Sequence, residues 1–231
     1  MDELVIKNLF IVYGSETALL KKLFNFENSY FLRIYNKKAP KKLKNAIDLN
    51  NFEDFKISFN KVINENTPKK IIFIGAAFLT QNKLFISETE SHINKMIEVN
   101  IQNYVKYCYY ILPQMKKIGS GQFIYLSSFR SKNTTRGTSL YSASKAFGEK
   151  FFEVLGKENG VFGIYSVSIR LGYFDSRMTN MFDPDKIKQF KISIGNRRLG
   201  TQEDLINCIK FLLINPYTNG GAIDLTGGIN Y

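Results

Sequence analysis

Residues 137 to 151 read Gly-Thr-Ser-Leu-Tyr-Ser-Ala-Ser-Lys-Ala-Phe-Gly-Glu-Lys-Phe, and this stretch decides the fold. Within it, Tyr141 and Lys145 stand four positions apart at the start of a predicted helix. Side chains at positions i and i+4 share one helix face. A phenol has a reference pKa of about 10, and an ammonium beside it favours the phenolate and lowers that pKa. The pair therefore predicts a tyrosine that acts as a general acid or base.

A short apolar segment upstream of this helix ends in two hydroxyls. Residues 122 to 128 read Gln-Phe-Ile-Tyr-Leu-Ser-Ser and predict a strand. We expect Ser128 to meet Tyr141 where the strand and the helix converge. A Tyr-x-x-x-Lys pair alone indicates no more than an exposed helix pair, because such neighbours occur on any helix. Together, Ser128, Tyr141 and Lys145 resemble the catalytic motif of the short-chain dehydrogenase/reductase family.

Length and composition predict a cytoplasmic chain with a sizeable core. The 231 residues suffice for one large domain. No stretch approaches the roughly eighteen apolar residues of a membrane span, and Met1-Asp2-Glu3-Leu4 lacks the basic start of a secretion signal. The single His92 excludes a multi-histidine metal site. Cys108 and Cys208 lie in apolar helical patterns and predict buried free thiols.

The net charge of +12 raises the question of a nucleic-acid partner. The densest basic cluster, residues 37 to 44, contains no interleaved aromatic side chain that would form a stacking platform. We therefore interpret the charge as a solvated basic face or as attraction for an anionic small molecule, and we expect no nucleic-acid partner.

The first strand, turn and helix of the chain have the order of a phosphate-binding unit. An apolar run ends at Tyr13 and is followed by Gly14 and a helical pattern. In a dinucleotide-binding fold such a helix N-terminus receives the pyrophosphate. The family pattern is Thr-Gly-x-x-x-Gly-x-Gly, and here Tyr13 stands for Thr while Ala18 and Leu20 stand for the later glycines. The resemblance assigns cofactor contacts in this turn to Gly14, Ser15, Thr17 and Leu19.

The choice between NADP and NAD is expected after the second strand, residues 30 to 35. A carboxylate there would accept hydrogen bonds from the adenosine ribose, whereas cations would meet a 2′-phosphate. Lys37 and Lys38 favour NADP, with NAD as the second choice, unless both belong only to the basic loop that follows. The resemblance also places Asp48 and Leu49, in the third strand, near the adenine.

Two further segments resemble cofactor-side elements of the family. A buried strand runs into Gly75 and Ala76, whose small size lets a cofactor lie against the backbone. A long helix is predicted from about His92 to Lys117, with a kink near its end at Pro113. On it, Asn100 matches the family asparagine that supports the catalytic lysine through a water molecule.

The substrate side of the predicted site is basic. Arg130 and Arg136 lie in a polar loop between Ser128 and Tyr141, where they are candidates to hold a phosphate or carboxylate or else form a solvated loop. After the strand at residues 164 to 170 the chain resembles the family segment Pro-Gly-x-x-x-Thr. The retained positions are Gly172 and the hydroxyl of Ser176, both for the cofactor, with Tyr173 as a substrate contact. Residues 178 to 194 lack a clear pattern and predict a mobile substrate lid.

Strands that alternate with helices predict an α/β, Rossmann-like, doubly wound and mostly parallel sheet of about seven strands, with helices on both faces. The resemblance covers residues 1 to 231 as one domain. It implies an NAD(P)-dependent oxidoreductase that interconverts a carbonyl and an alcohol, with reduction favoured. Tyr141 would protonate the oxygen, Ser128 would hydrogen-bond it, and Lys145 would lower the pKa of the tyrosine and hold the ribose.

The substrate class and the assembly are broader expectations. We expect a small carbonyl or alcohol substrate that is anionic or carrier-bound, such as a 3-oxoacyl thioester or a sugar precursor. The resemblance implies a homodimer or homotetramer. The altered glycine turn supports an alternative, a non-catalytic family member with a binding or regulatory role and weak or no cofactor binding.

Overall fold

The computed structural model describes residues 7–15, 17–35, 45–48, 51–76, 80, 83–176 and 179–229. The strands in this part of the chain are Asn8–Tyr13 (β1), Ser29–Tyr35 (β2), Ala46–Asp48 (β3), Lys70–Gly75 (β4), Gly121–Ser128 (β5), Ile164–Leu171 (β6) and Gly221–Leu225 (β7). All pair in parallel in one sheet of order β3-β2-β1-β4-β5-β6-β7. Because the chain builds outward from β1 in both directions, the sheet is doubly wound, and the predicted fold is confirmed.

Helices connect the strands. The α-helices of the described residues are Phe52–Asn66 (α1), Glu90–Ile97 (α2), Asn103–Ile118 (α3), Ser139–Asn159 (α4), Pro184–Ser193 (α5) and Gln202–Ile214 (α6). Short 3₁₀ helices cover Ala18–Asn25, Phe85–Ser87, Phe129–Ser131, Gly160–Phe162, Thr179–Met181 and Pro216–Thr218. Among these residues no helix is both long and apolar enough to cross a membrane.

The sheet has an apolar core on each face. Alternate residues of a strand point to opposite faces, so Leu9 and Ile11 pack on one side and Phe10 and Val12 on the other. Helices α1, α3 and α4 cover the first face, whereas the 3₁₀ helix Ala18–Asn25 and α6 cover the second. Burial on both faces explains why the strands read as continuous apolar runs.

Two predicted helices differ from the structure in detail. The helix expected from His92 to Lys117 is interrupted by a π-turn, Glu98–Gln102, between α2 and α3. Pro113 lies inside α3, which continues to Ile118. The helix after the first turn is a 3₁₀ helix rather than an α-helix.

Within the segment predicted to form a mobile lid, residues 178 to 194, the structure contains helix α5. Its start carries two helix signals: Asp183 accepts a hydrogen bond from the Lys186 amide at 2.8 Å, and Pro184 takes the first helical position. The buried thiol prediction holds for Cys108, whereas Cys208 is only half-buried.

Candidate active site

The carboxyl ends of the parallel strands lie at one edge of the sheet. Tyr13 of β1 pairs with Gly75 of β4, and Ser128 of β5 pairs with Leu171 of β6. The strand order reverses between β1 and β4, which opens a crevice at this edge. Predicted site residues found at these strand ends are Gly14, Ser15, Asp48, Gly75, Ala76, Ser128 and Gly172.

The three predicted catalytic side chains lie together. Ser128 and Tyr141 are joined by a side-chain hydrogen bond, and both are almost fully buried. Lys145 is also buried, and its Nζ donates a hydrogen bond to the Leu126 carbonyl at 2.7 Å. The same Nζ lies 6.0 Å from the centre of the Tyr141 ring. Strand β5 and helix α4 therefore meet as the sequence predicts.

The pKa of Tyr141 differs from the sequence expectation. Burial raises it to about 12, against the smaller lowering effects of the Ser128 hydrogen bond and the Arg130 charge. Burial also lowers the pKa of Lys145 to about 7, although the Glu149 carboxylate opposes that change. The expected lowering of the tyrosine pKa by Lys145 is therefore not found in this state. Desolvation by burial is the largest influence on the pKa of this phenol.

Asn100 lies on the π-turn and contacts the catalytic helix. Its Nδ2 donates to Ser144 Oγ at 3.1 Å, and Ser144 Oγ donates to the Tyr141 carbonyl at 2.7 Å. All of these side chains are buried. Single π-turns inside α-helices occur often at functional sites. The predicted residue is thus placed against the neighbours of Tyr141 and Lys145.

Aromatic and basic side chains surround the mouth of the crevice. Tyr173 stacks on Phe190 of α5, with 4.1 Å between ring centres, and packs edge-on against Phe129. The Arg130 guanidinium contacts Thr135 and lies 5.2 Å from the Phe129 ring centre.

Two other predicted site residues, Arg136 and Ser176, lie near the same edge of the sheet. Arg136 is exposed on the loop that contains Arg130. The Ser176 hydroxyl lies 3.2 Å from the Thr179 hydroxyl.

Comparison with known proteins identifies the family. The profile described as short chain dehydrogenase matches residues 34–187, about two thirds of the chain. The chain belongs to the short chain dehydrogenases. As a member of this family, it is an oxidoreductase that uses a nicotinamide cofactor.

Relatives and solved structures agree with that assignment. The 3-oxoacyl-acyl-carrier-protein reductase FabG of Chlamydia muridarum is 24% identical over 250 residues, which cover 99% of this chain and all of the relative. The structure of 4-hydroxyisoleucine dehydrogenase complexed with NADH has a TM-score of 0.83 at 16% identity, covering 96% of this chain and 98% of that one. ElxO with NADP bound has a TM-score of 0.81 at 17% identity, with the same coverages. At these identities the two structures show the fold alone.

The crevice of this short chain dehydrogenase fits a dinucleotide at the nicotinamide end. Ser128 and Tyr141 carry hydroxyls, and the buried Lys145 Nζ, which donates to the Leu126 carbonyl, lies on the same helix face as Tyr141. These groups suit a carbonyl oxygen and ribose hydroxyls.

At the phosphate end, Gly14 has a φ of +93°, a conformation that glycine tolerates best. Its amide and that of Ser15 both donate to the Ile34 carbonyl at 2.9 Å, and the Ser15 hydroxyl donates to Val12. Thr17 directly precedes the 3₁₀ helix Ala18–Asn25, and Leu19 lies in its first turn. The Thr17 amide donates to the Gly14 carbonyl at 3.2 Å. Leu20, in place of the last glycine, is fully buried in the core.

Some sequence predictions fall outside the residues that the structure describes. These are Lys37 and Lys38, on which the NADP preference depends, and Leu49, expected near the adenine.

Sequence reasoning missed the carboxylate behind the catalytic residues. Glu149 lies one helical turn after Lys145, where both oxygens accept hydrogen bonds from Arg170 at 2.8 to 3.0 Å. Glu149 also accepts hydrogen bonds from the hydroxyls of Ser127, directly before Ser128, and of Ser131, three positions after it. The sequence does contain a pattern that points to Glu149, because Tyr141, Lys145 and Glu149 are spaced four positions apart and so lie on one helix face.

Proposed function

We propose that this short chain dehydrogenase is an NADP-dependent reductase that converts the carbonyl group of an anionic or thioester-bound substrate to an alcohol. The observation that carries the proposal is the hydrogen bond between Ser128 and Tyr141 at the strand edge, with Lys145 on the same helix face. The strands from Asn8 to Leu225 form one sheet, which supports treating the chain as one catalytic domain.

In the proposed reaction Tyr141 is the proton donor. Burial raises its pKa to about 12, so the phenol carries its proton at neutral pH. A general acid is most efficient when its pKa lies near the operating pH, so the transfer depends on nearby positive charge that lowers this pKa. Ser128 donates a hydrogen bond to the same carbonyl oxygen and so orients it toward the phenol. The hydride for the carbonyl carbon is the chemistry that a bound nicotinamide supplies.

Positive charge near Tyr141 favours the proton transfer. When the phenol releases its proton, the resulting phenolate is stabilised by cations. Arg130 already lowers the pKa of Tyr141 in this structure, and Lys145 lies on the same face of α4. In the proposed complex Lys145 would also donate hydrogen bonds to ribose hydroxyls. Asn100 supports this end of the helix through its hydrogen bond to Ser144.

The substrate class is proposed from the mouth of the crevice. The Tyr173, Phe190 and Phe129 rings form an apolar wall, and Arg130 and Arg136 supply positive charge on the adjoining loop. An apolar chain with a phosphate or carboxylate at its far end suits this combination. A 3-oxoacyl thioester has that chemistry, and the FabG relative is described as a reductase of such a substrate.

The proposed preference for NADP rests on Lys37 and Lys38, which follow β2 where a carboxylate would favour NAD. The first measurement is calorimetric binding of NADPH and NADH to the purified protein. NADPH is expected to bind at least tenfold more tightly. A Lys37→Glu/Lys38→Glu variant is expected to lose this advantage while it keeps NADH binding. Equal affinity for both cofactors in the wild type would contradict the preference, and no binding of either would favour a non-catalytic role.

The catalytic assay follows NADPH oxidation with acetoacetyl-CoA as the probe. Tyr141→Phe is expected to bind NADPH as the wild type does and to lose about 10²- to 10⁴-fold in kcat, the usual contribution of a general acid. Tyr109→Phe is the matched control, because this tyrosine is 82% exposed on α3. A folded Tyr141→Phe protein with full turnover would rule out the mechanism.

We also propose that the protein forms a homodimer or homotetramer through the outer face of α4. Phe147, Phe151 and Val154 lie along that face, and the Phe147 and Phe151 rings stack in parallel with 6.0 Å between their centres. Phe147 and Val154 remain exposed in the isolated chain. A contiguous apolar helix face of this kind is typical of protein interfaces.

A further inference from the structure

Tyr13 lies directly before the glycine turn, where the family pattern has a threonine. Its side chain is fully buried, and its phenol donates a hydrogen bond to the Val99 carbonyl at 2.9 Å. Its backbone carbonyl accepts a hydrogen bond from the Ala76 amide at 2.7 Å, which joins β1 to the end of β4. One residue thus contacts both the predicted cofactor edge and the helix that carries Asn100.

The acceptor of this phenol belongs to the π-turn. Val99 lies within Glu98–Gln102, where the Asn103 amide donates to the Glu98 carbonyl five positions back rather than four. A backbone carbonyl has two lone pairs, so the Val99 carbonyl can accept the phenol of Tyr13 in addition to a helical amide. Ring contacts fix the position of that donor, since the Tyr13 ring packs on Tyr104 with 4.8 Å between centres.

The next residue of the π-turn continues the line of hydrogen bonds. Ser144 Oγ gives its hydrogen to the Tyr141 carbonyl, so Asn100 must present its Nδ2 donor to Ser144 rather than its oxygen. The line therefore runs from Tyr13 through the π-turn to Ser144 on α4. Each of its side chains is at least nine-tenths buried.

We propose that Tyr13 is a positioning residue that holds the π-turn and thereby fixes Asn100 against the catalytic helix. The edge of the cofactor turn and the helix of Tyr141 and Lys145 then move as one unit. A threonine side chain at position 13 would be too short to bring its hydroxyl to the Val99 carbonyl. The activity readout of the proposal rests on the proposed reductase function, whereas its structural readout does not.

The structural test is amide hydrogen exchange of the cofactor-free protein. Tyr13→Phe removes only the hydroxyl, and Tyr107→Phe is the matched control. Tyr107 is fully buried in the same aromatic cluster, and its hydroxyl has no hydrogen-bond partner among the described residues. We expect exchange in residues 98–104 to become about tenfold faster in Tyr13→Phe, relative to α1, and to stay unchanged in Tyr107→Phe.

The catalytic test is a double-mutant cycle with Asn100→Ala, assayed as NADPH oxidation with acetoacetyl-CoA. We expect Tyr13→Phe to lower kcat about tenfold, to change KM for NADPH less than twofold, and to have no further effect when Asn100 is absent. Ser144→Ala breaks the same line at its other end and should reproduce the loss without adding to it.

Two results would overturn the proposal. One is an exchange rate in residues 98–104 that Tyr13→Phe changes no more than Tyr107→Phe does. The other is a loss of kcat that persists undiminished in the Asn100→Ala background. If the wild type shows no NADPH turnover, the reductase function fails, and the exchange experiment still decides the role of Tyr13.

Discussion

Replacing Glu149 by glutamine tests whether the carboxylate behind the catalytic residues holds the site together. Glu149 and Arg170 are only 13% and 12% exposed in their side chains, and they form a bidentate ion pair between α4 and β6. Glu149 also accepts hydrogen bonds from Ser127 and Ser131. The change keeps the shape of the side chain but removes its charge, so Arg170 loses its main partner.

The loss of unfolding free energy in Glu149→Gln depends on which partner Arg170 keeps. Breaking a buried ion pair by removing one partner costs about 3 to 5 kcal/mol. Arg170 retains Asp224 at 3.2 Å, but that carboxylate is 40% exposed and is screened by solvent. We therefore expect a loss of about 2 to 3 kcal/mol. For a chain of this length each kcal/mol lowers Tm by about 2 to 4 °C, which predicts a decrease of roughly 4 to 12 °C.

The assay is thermal unfolding followed by circular dichroism, with Glu153→Gln as the matched control. Glu153 lies on the same helix and pairs with Lys150 and Lys157, but those lysines are mostly exposed. Its replacement should leave Tm nearly unchanged, because exposed ion pairs contribute little. Equal Tm values for the two variants, or a Glu149→Gln protein as stable as the wild type, would refute the reasoning.

Three further outcomes are expected. Burial lowers the pKa of Lys145 from 10.5 to about 7, so between these pH values the unfolded chain binds a proton that the folded chain has lost. The contribution of this group to folding stability therefore rises with pH. Between about pH 7 and 9 the Tm of the wild type should rise relative to that of Lys145→Met, and a constant difference would contradict this. Gly75→Ala places a Cβ into the Tyr104 ring and should lower Tm by several degrees, with partial recovery when Tyr104 is also changed to Leu. Phe147→Glu should convert the proposed oligomer to a monomer in size-exclusion chromatography with light scattering, whereas Ile57→Glu, at an exposed position of α1, should not.

The elements that the sequence predicts well are those whose signal is local. Each parallel strand is buried on both faces and is therefore apolar throughout, as in β1, so its position is legible without tertiary information. The meeting of Ser128 with Tyr141 also follows from local order, because a strand end and the next helix start must converge at the same sheet edge.

Properties that depend on three-dimensional surroundings could not be predicted in this way. The spacing of apolar residues along the helix does not indicate the π-turn at Asn100. The direction of the Tyr141 pKa depends on how far the ring is buried and where the Lys145 ammonium points. Glu149 carries the right spacing from Lys145, but its partner Arg170 comes from a strand that only the fold brings near.

The small size of Gly75 has a structural reason that the sequence does not show. From the sequence alone, its size is expected to let a cofactor lie against the backbone. In the structure a side chain at position 75 would overlap the Tyr104 ring, and that ring packs on Tyr13. The large residue before the glycine turn therefore demands a small residue at the end of the neighbouring strand. Because β1 and β4 pair Tyr13 with Gly75 directly, the unusual turn and the retained glycine are two parts of one packing arrangement, and both belong to the support of the π-turn.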